Sequence, residues 1–246
     1  MVQGMSDEPR SAVDRRAVFG ETPEGIERIA PGFFPPHIER EHLARYRWAA
    51  RWVGGMSVLD VACGTGYGSA LVLRAGARRV VAVDHSVPAL TFGRGRYPGV
   101  RYLLADAGAL PLRAGSADVV ISLETLEHLV DALPFLRALR GIVREDGVLL
   151  VSTPNAAQTD GSNPYHVHEM ALPELLELLA AAGFRAARVW GQFWRLPSRR
   201  GLWRLRGMGR LAHEIARRPE VVRLPRALGL APLYWCVLAR PAGSPP

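Results

Sequence analysis

One stretch decides the fold of this chain, Val58-Leu59-Asp60-Val61-Ala62-Cys63-Gly64-Thr65-Gly66-Tyr67-Gly68. An apolar run ends in an acid, a turn rich in glycine follows, and Ser69–Leu73 has the composition of a helix start. Glycine adopts positive φ easily and lets a ligand approach the backbone closely. The first N–H groups of the helix have no partner within the helix. The sequence therefore predicts a strand, loop and helix that bind a nucleotide-like ligand.

The composition fits one large α/β domain. The chain has 246 residues, of which 48% are hydrophobic, enough for a full core. Its two cysteines, Cys63 and Cys236, are too few for a disulfide framework. No apolar run approaches the roughly 20 residues that span a bilayer, and Met1–Arg16 lacks the apolar region of a signal peptide. We therefore expect a cytoplasmic protein with reduced thiols and no transmembrane segment.

The formal net charge of +8 comes from one segment. Between Arg195 and Arg226 ten arginines stand against two glutamates, so the rest of the chain is nearly neutral. We expect a basic helical insertion over residues 191–231, before the last strand. It is a solvated face, a lid over an anionic acceptor, or a surface that docks on a membrane or on RNA. Because the basic patch is local, nucleic acid is not the expected partner.

Strands and helices alternate along the rest of the chain. The predicted strands are 57–61, 79–83, 100–104, 117–123, 148–152, 184–193 and 232–239, and the predicted helices are 38–53, 69–75, 88–96, 125–143 and 172–182. This alternation is typical of an α/β protein with a parallel, doubly wound seven-stranded sheet and helices on both faces. Residues 1–37 are expected to form a mobile N-terminal tail or lid. Residues 38–246 are expected to form one domain, which begins with a helical cap.

Three aspartates at the ends of the first three strands narrow the choice of ligand. Asp84 follows the second strand, where an acid can accept both ribose hydroxyls. The loop lacks the G-x-G-x-x-G spacing of a dinucleotide site, and Asp60 beside it would repel a pyrophosphate and hold an ammonium group. Asp106 can accept the exocyclic amine of adenine. The three acids together favour a cationic nucleoside without phosphates.

At these residues the chain resembles the class I S-adenosylmethionine-dependent methyltransferases, type 11 and ubiquinone-pathway O-methyltransferases among them. Residues 58–66, 81–84, 104–111 and 117–120 look like their first four motifs, in order. The resemblance implies a Rossmann-like fold with S-adenosylmethionine as cofactor. The cofactor-binding residues that it implies are Tyr46, Asp60, Ala62, Cys63, Gly64, Gly66, Asp84, His85, Asp106, Ala107 and Leu123.

A second cluster follows the fourth strand. Glu124, Glu127 and His128 are spaced i, i+3 and i+4, which would place them on one face of the predicted helix. Their mutual repulsion calls for a cation, and oxygen ligands with an imidazole suit Mg²⁺ or Mn²⁺. The alternative is that Glu124 only caps the helix.

The Glu-x-x-Glu-His pattern resembles the metal site of small-RNA 3′-end 2′-O-methyltransferases and of ubiquinone-pathway O-methyltransferases. In those families a further histidine arrives from a later segment, and here His166 and His168 are both candidates. We favour a metal held by Glu124, Glu127, His128 and His168. The predicted catalytic residues are Glu127, His128 and His166, the last as the general base or as a support for the ligands.

The expected function is S-adenosylmethionine-dependent O-methylation of a sugar-like, polyol or natural-product small molecule. A divalent metal would lower the pKa of the hydroxyl and fix its oxygen. One alternative is metal-independent N-methylation of an amine-bearing small molecule. Another is a non-catalytic protein that binds S-adenosylmethionine and docks on a partner through its arginine segment. The sequence names neither the acceptor nor the oligomeric state.

Overall fold

The computed structural model describes residues 30–195, 218–223 and 231–244. The predicted tail therefore lies outside the described residues up to residue 29, and so does most of the predicted basic insertion. The longest described helix has 14 residues. No helix in these three ranges is long and apolar enough to cross a membrane.

The described residues form one mixed sheet of eight strands, in the spatial order β3-β2-β1-β4-β5-β8-β6-β7. The strands are β1 Ser57–Val61, β2 Arg79–Asp84, β3 Arg101–Leu104, β4 Ala117–Leu123, β5 Val143–Pro154, β6 Phe184–Arg195, β7 Arg218–Arg223 and β8 Tyr234–Pro241. β1 to β5 pair in parallel. β8 pairs antiparallel with both β5 and β6, and β6 pairs antiparallel with β7. The order of the parallel strands reverses at β1 and β4, where open α/β sheets form a ligand crevice.

Five α-helices and two single 3-10 turns connect the described strands. The helices are α1 Pro36–Ala49, α2 Tyr67–Arg74, α3 Val87–Arg96, α4 Ala132–Ile142 and α5 Leu172–Ala181, and the turns are Ala50–Trp52 and Leu126–His128. A proline stands in the first turn of α1, α3 and α5, where its missing N–H costs nothing. Ser86 and Asp131 cap α3 and α4 by accepting backbone N–H groups. Local sequence therefore sets where most helices begin.

The sheet is buried on both faces. Successive residues of a strand point to opposite faces, so Val58 packs with α1 and α2 while Leu59 packs with α4 and α5. Leu136 and Leu175, from the two helices of the second face, are fully buried. Each such leucine contributes roughly 1.5–3 kcal/mol through burial. Two-sided burial explains why the strands appear in the sequence as apolar runs rather than as alternating patterns.

The predicted Rossmann-like α/β sheet and its seven strands are confirmed, with two corrections. The expectation of an all-parallel sheet is wrong, because β6, β7 and β8 run antiparallel. The expected helical insertion is wrong at its described ends, because residues 191–195 belong to β6 and Arg218–Arg223 forms β7. The spacing of the arginines suggested the polar face of a helix. The pair Val221-Val222, whose β-branched residues favour a strand, was overlooked for that reason.

The helix predicted over residues 125–143 is also corrected. After the short turn Leu126–His128, the chain is extended, and α4 begins only after its cap at Asp131. Pro134 lies in the first turn of α4, where proline is tolerated. Glu124 has φ 56°, outside any right-handed helix. Glu124, Glu127 and His128 therefore do not share a helical face.

Candidate active site

A cavity of about 750 Å³ opens at the carboxyl ends of the parallel strands. One side is lined by residues that follow β1, β2 and β3. The other side is lined by α1, by the segment after β4 and by the loop between β5 and α5. The two walls carry different side chains, as expected where two different molecules bind side by side. This edge of an open sheet is also where ligands bind.

The loop after β1 has the backbone that its glycines predict. Gly64 and Gly66 have φ angles of 56° and 75°. Ala62 has φ 58° although it carries a side chain, a conformation that costs about 1–2 kcal/mol. At Gly66 an added Cβ would lie 2.6 Å from the hydroxyl of Tyr102. The glycines therefore place no side chain in the cavity, and the loop packs tightly against Tyr102.

Backbone N–H groups fix two carboxylates on the same wall. Gly64 donates to one oxygen of Asp84 at 2.8 Å, and Ser86 donates to the other at 2.9 Å. Gly108 donates to Asp106 at 2.7 Å. Because a carboxylate has about four acceptor positions, both groups can accept further hydrogen bonds from hydroxyl or amine donors of a ligand.

Asp60 lies behind the cavity wall rather than on it. Its carboxylate is fully buried and accepts the hydroxyl of Tyr46 at 3.2 and 3.3 Å and that of Ser69 at 2.5 Å. Burial raises the pKa of Asp60 to about 7, even though the hydrogen bonds from Ser69 and Tyr46 lower it. Tyr46 lines the cavity in front of this acid. Asp60 therefore does not line the cavity, and its contact with the ligand stays a prediction.

Arg45 is a fully buried cation on the cavity wall. Its Nη1 donates to Oε1 of Gln192 at 2.7 Å, its Nη2 lies 3.4 Å from Oε2 of Glu124, and its guanidinium carbon lies 4.2 Å from the ring centre of Tyr234. Its Nε and Nη2 make no hydrogen bond among the described residues. Buried donors without acceptors are costly, so this guanidinium suits a carboxylate that enters the cavity.

Glu127, His128 and His166 form a cluster in the second wall. One ligand atom of each lies within 4.8 Å of those of the other two. Glu127 is fully buried; Thr153 donates to one of its oxygens at 3.1 Å, and the other oxygen makes no hydrogen bond among the described residues. Burial, and then the charge of Glu124, raises the pKa of Glu127 well above its ordinary value. Its ionised form therefore needs a nearby positive charge.

Hydrogen bonds select the same tautomer for both histidines. Nδ1 of His128 lies 3.0 Å from the carbonyl oxygen of Tyr165, and Nδ1 of His166 lies 2.5 Å from Oε1 of Glu169. Carbonyl and carboxylate oxygens only accept, so both Nδ1 atoms carry the proton. The two rings meet edge to face, with centroids 5.1 Å apart. Each imidazole therefore carries its lone pair on Nε2, and that of His166 accepts a hydrogen bond from Nδ2 of Asn163 at 2.9 Å.

Residues 59–151 match the family model described as a methyltransferase domain. A protein of Mycolicibacterium smegmatis named as a probable S-adenosylmethionine-dependent methyltransferase is 36% identical over 173 residues, which cover 68% of this chain and 67% of that protein. The chain belongs to the class I S-adenosylmethionine-dependent methyltransferases.

Two further proteins are similar to this chain. A Mycobacterium tuberculosis protein of the same description is 37% identical over 159 residues, or 63% of this chain, and the match spans 58% of that protein's length. The solved structure of a possible histamine N-methyltransferase from Thermotoga maritima superposes with a TM-score of 0.63 and 16% identity, covering 82% of this chain and 90% of the other. At that identity the likeness shows the fold alone.

Most residues that the sequence predicted to bind the cofactor of this methyltransferase line the cavity. They are Tyr46, Ala62, Cys63, Gly64, Asp84, His85, Asp106, Ala107 and Leu123. Asp60 and Gly66 do not, because Tyr46 covers the first and Tyr102 fills the space beside the second.

Two of the four predicted metal ligands lie outside the cluster of Glu127, His128 and His166. Glu124 lines the cavity, but its carboxylate lies against Arg45 and accepts the hydroxyl of Ser152 at 2.8 Å, and it does not belong to the cluster. His168 is 53% exposed and its ring pairs with Glu174 at the start of α5, away from the cavity. His166, rather than His168, faces Glu127 and His128.

Several cavity residues escaped the sequence interpretation. They are Phe34, Ile38, His42, Arg45, Leu129, Asn163, Tyr165 and Tyr234. The spacing of Ile38, His42 and Arg45 marks one face of α1, which was a usable signal. Charge was not, because Arg40, Arg47 and Arg51 lie on the same segment. Burial, followed by the charge of Arg45, lowers the pKa of His42 well below its ordinary value.

Proposed function

We propose that this protein transfers the methyl group of S-adenosylmethionine to a hydroxyl of a small, polyol-like acceptor. We further propose that Glu127, His128 and His166 hold a divalent metal that binds this hydroxyl. The observation that carries the proposal is the buried oxygen of Glu127, which has no hydrogen bond among the described residues and lies in a cluster with two imidazoles.

The cofactor wall fits S-adenosylmethionine. Asp84 would accept the ribose hydroxyls and Asp106 the adenine amine, as their fixed carboxylates allow. Arg45, whose Nη2 lies against Glu124, would bind the methionine carboxylate through its Nε donor, which has no hydrogen bond among the described residues. The cofactor supplies a methyl group that is already activated by the positive sulfur. Much of the remaining rate must then come from positioning the acceptor.

The acceptor wall fits a divalent transition-metal cation such as Mn²⁺, which accepts both carboxylate and imidazole ligands. The cluster offers one carboxylate oxygen and two imidazoles. Each imidazole donates its other N–H to an oxygen, as metal-binding histidines almost always do. A bound cation lowers the pKa of an alcohol and fixes the position of its oxygen. It would also neutralise the ionised form of Glu127.

The chain's own groups then receive the proton and exclude water. We assign the proton to Glu124, whose carboxylate is held by Ser152 and by the charge of Arg45. Phe34, Ile38 and Leu129 give the cavity an apolar part that keeps water from the reacting atoms. Each of these roles depends on a separate side chain, so each can be removed alone.

Metal binding can be tested without knowing the acceptor. Mn²⁺ is added to chelator-treated protein, and the electron paramagnetic resonance signal of free Mn²⁺ is followed. We expect the wild-type protein to bind Mn²⁺, and Glu127→Gln to bind it at least tenfold more weakly. Glu174→Gln is the matched control, because Glu174 pairs with a histidine outside the cavity. Equal affinity of Glu127→Gln and the wild type for Mn²⁺ would refute the assignment of the metal to this site.

Methyl transfer is tested with labelled S-adenosylmethionine and a panel of sugars, polyols, catechol and amines. We expect labelled methyl ethers, and we expect transfer to stop on chelation and return with Mg²⁺ or Mn²⁺. Turnover that survives chelation would refute the role of the metal. A methylated amine as the main product would identify an N-methyltransferase instead. A chain that binds the cofactor but methylates nothing in the panel would support a non-catalytic role.

A further inference from the structure

His166, a member of the proposed metal cluster, is held on both ring nitrogens by side chains of its own loop. Its Nδ1 lies 2.5 Å from Oε1 of Glu169, and its Nε2 lies 2.9 Å from Nδ2 of Asn163. The other oxygen of Glu169 accepts the hydroxyl of Thr159. The side chains of His166 and Glu169 are 16% and 12% exposed, so water competes little for their hydrogen bond.

A second histidine–glutamate pair on the same segment provides a contrast. His168 pairs with Glu174, but the two side chains are 53% and 49% exposed and neither lines the cavity. An exposed pair of this kind contributes little to stability. Glu169, by contrast, is enclosed and acts on a histidine that lines the cavity. The two pairs differ in their surroundings, although their chemistry is the same.

We propose that Glu169 is a positioning residue for His166. It keeps the proton on Nδ1 of His166, so that the lone pair stays on Nε2, the nitrogen to which Asn163 donates here and which a metal would take over. The inference rests on the proposed metal site for its effect on catalysis, but the hydrogen bond and the tautomer exist independently of any metal. Nothing in the pattern of residues around Glu-x-x-Glu-His pointed to this carboxylate.

The tautomer is tested in metal-free protein by nuclear magnetic resonance of the ¹⁵N-labelled imidazoles. We expect His166 of the wild type to show a protonated Nδ1, with its proton shifted downfield by the short bond to Glu169. This proton signal should disappear in Glu169→Ala. In Glu174→Ala the His166 signals should remain as in the wild type. A proton on Nε2 of His166 in the wild type would overturn the proposal, whatever the protein does with metals.

The effect on the metal is tested by Mn²⁺ titration of the same variants. Glu169→Ala should bind Mn²⁺ about 10- to 100-fold more weakly, and excess Mn²⁺ should restore most of its turnover. Glu169→Gln, whose amide oxygen can still accept the Nδ1 proton, should lose less. Affinity for S-adenosylhomocysteine should stay within about twofold, which a misfolded variant would not show. Unchanged Mn²⁺ affinity in Glu169→Ala would overturn the proposal. If the wild type binds no Mn²⁺, the proposed metal site fails while the imidazole spectrum still decides the role of Glu169.

Discussion

Replacing Gly68 with alanine should destabilise the protein through Tyr46. Gly68 lies in the first turn of α2, and a Cβ added there would stand 2.0–2.3 Å from three atoms of the Tyr46 ring. The ring is held from two other directions, by its hydrogen bonds to Asp60 and by an edge contact with Tyr67 at 5.4 Å. The substitution therefore forces Tyr46 out of its place on the cavity wall.

The size of the effect follows from what Tyr46 loses. At a pH above the pKa of Asp60, which is about 7, the hydrogen bond to this charged group contributes about 1.5–3 kcal/mol, and an aromatic contact contributes about 0.5–1.5 kcal/mol. Alanine regains about 1 kcal/mol of helix propensity over glycine. We therefore expect a net loss of about 1–3 kcal/mol in the free energy of unfolding. For a domain of this size that lowers the melting temperature by roughly 2–12 °C.

Urea unfolding of Gly68→Ala measures this loss directly. The matched control is Gly95→Ala in α3, where nothing lies within 4 Å of the added Cβ, so that variant should be neutral or slightly stabilised. In a Tyr46→Ala background the cost of Gly68→Ala should vanish, because the ring that it displaces is gone. A Gly68→Ala protein as stable as the wild type, or a cost that persists without Tyr46, would refute the packing that we describe.

Three further predictions concern charged groups of the cavity. Arg45→Met should bind S-adenosylhomocysteine about 10- to 100-fold more weakly than the wild type. It should bind 5′-methylthioadenosine, which lacks the carboxylate, as tightly as the wild type does. Equal losses of affinity for both ligands in calorimetry would contradict the contact between Arg45 and the methionine carboxylate. Asp60 has a folded pKa of about 7 against 3.8 for the model compound, so the folded state holds this proton more tightly and stability should fall as the pH rises from about 4 to about 7. In urea unfolding, the stability of Asp60→Asn should depend less on pH than that of the wild type. An unchanged slope would mean that another group causes the pH dependence. Glu124→Gln should keep wild-type Mn²⁺ affinity while losing methyl transfer, and a loss of both would return Glu124 to the metal site.

The parallel half of the sheet was predictable because its signals are local. β1, β2 and β4 are buried on both faces, which produces apolar runs such as Val58–Val61 that end in a polar residue or a turn. Strand direction has no comparable signal. β8 is as apolar as β1, yet it runs antiparallel because of the strands on either side of it, β5 and β6. That choice depends on residues far away in the sequence.

The two walls of the cavity differ in the same way. Asp84 and Asp106 follow directly from strand ends, so their placement comes with the sheet. The histidine loop is positioned by contacts across the chain, among them the N–H groups of Val167 and His168, which donate to the carbonyl of Glu127 at 2.7 and 3.2 Å. Spacing alone could not choose between His166 and His168, because the choice depends on which glutamate each one meets.

Glu124 and Glu127 show how one residue type acquires two roles within a single turn of chain. Nη2 of Arg45 lies 3.4 Å from Oε2 of Glu124, so the protein itself supplies a positive charge to this carboxylate. Among the described residues the side-chain donor to Glu127 is the hydroxyl of Thr153, and burial raises the pKa of this carboxyl group. Two carboxylates in environments as different as these can take different roles. We therefore expect Glu124 to stay paired with Arg45 with or without a metal, and we propose that a divalent cation would bind Glu127 on the side of the cavity that holds His128 and His166.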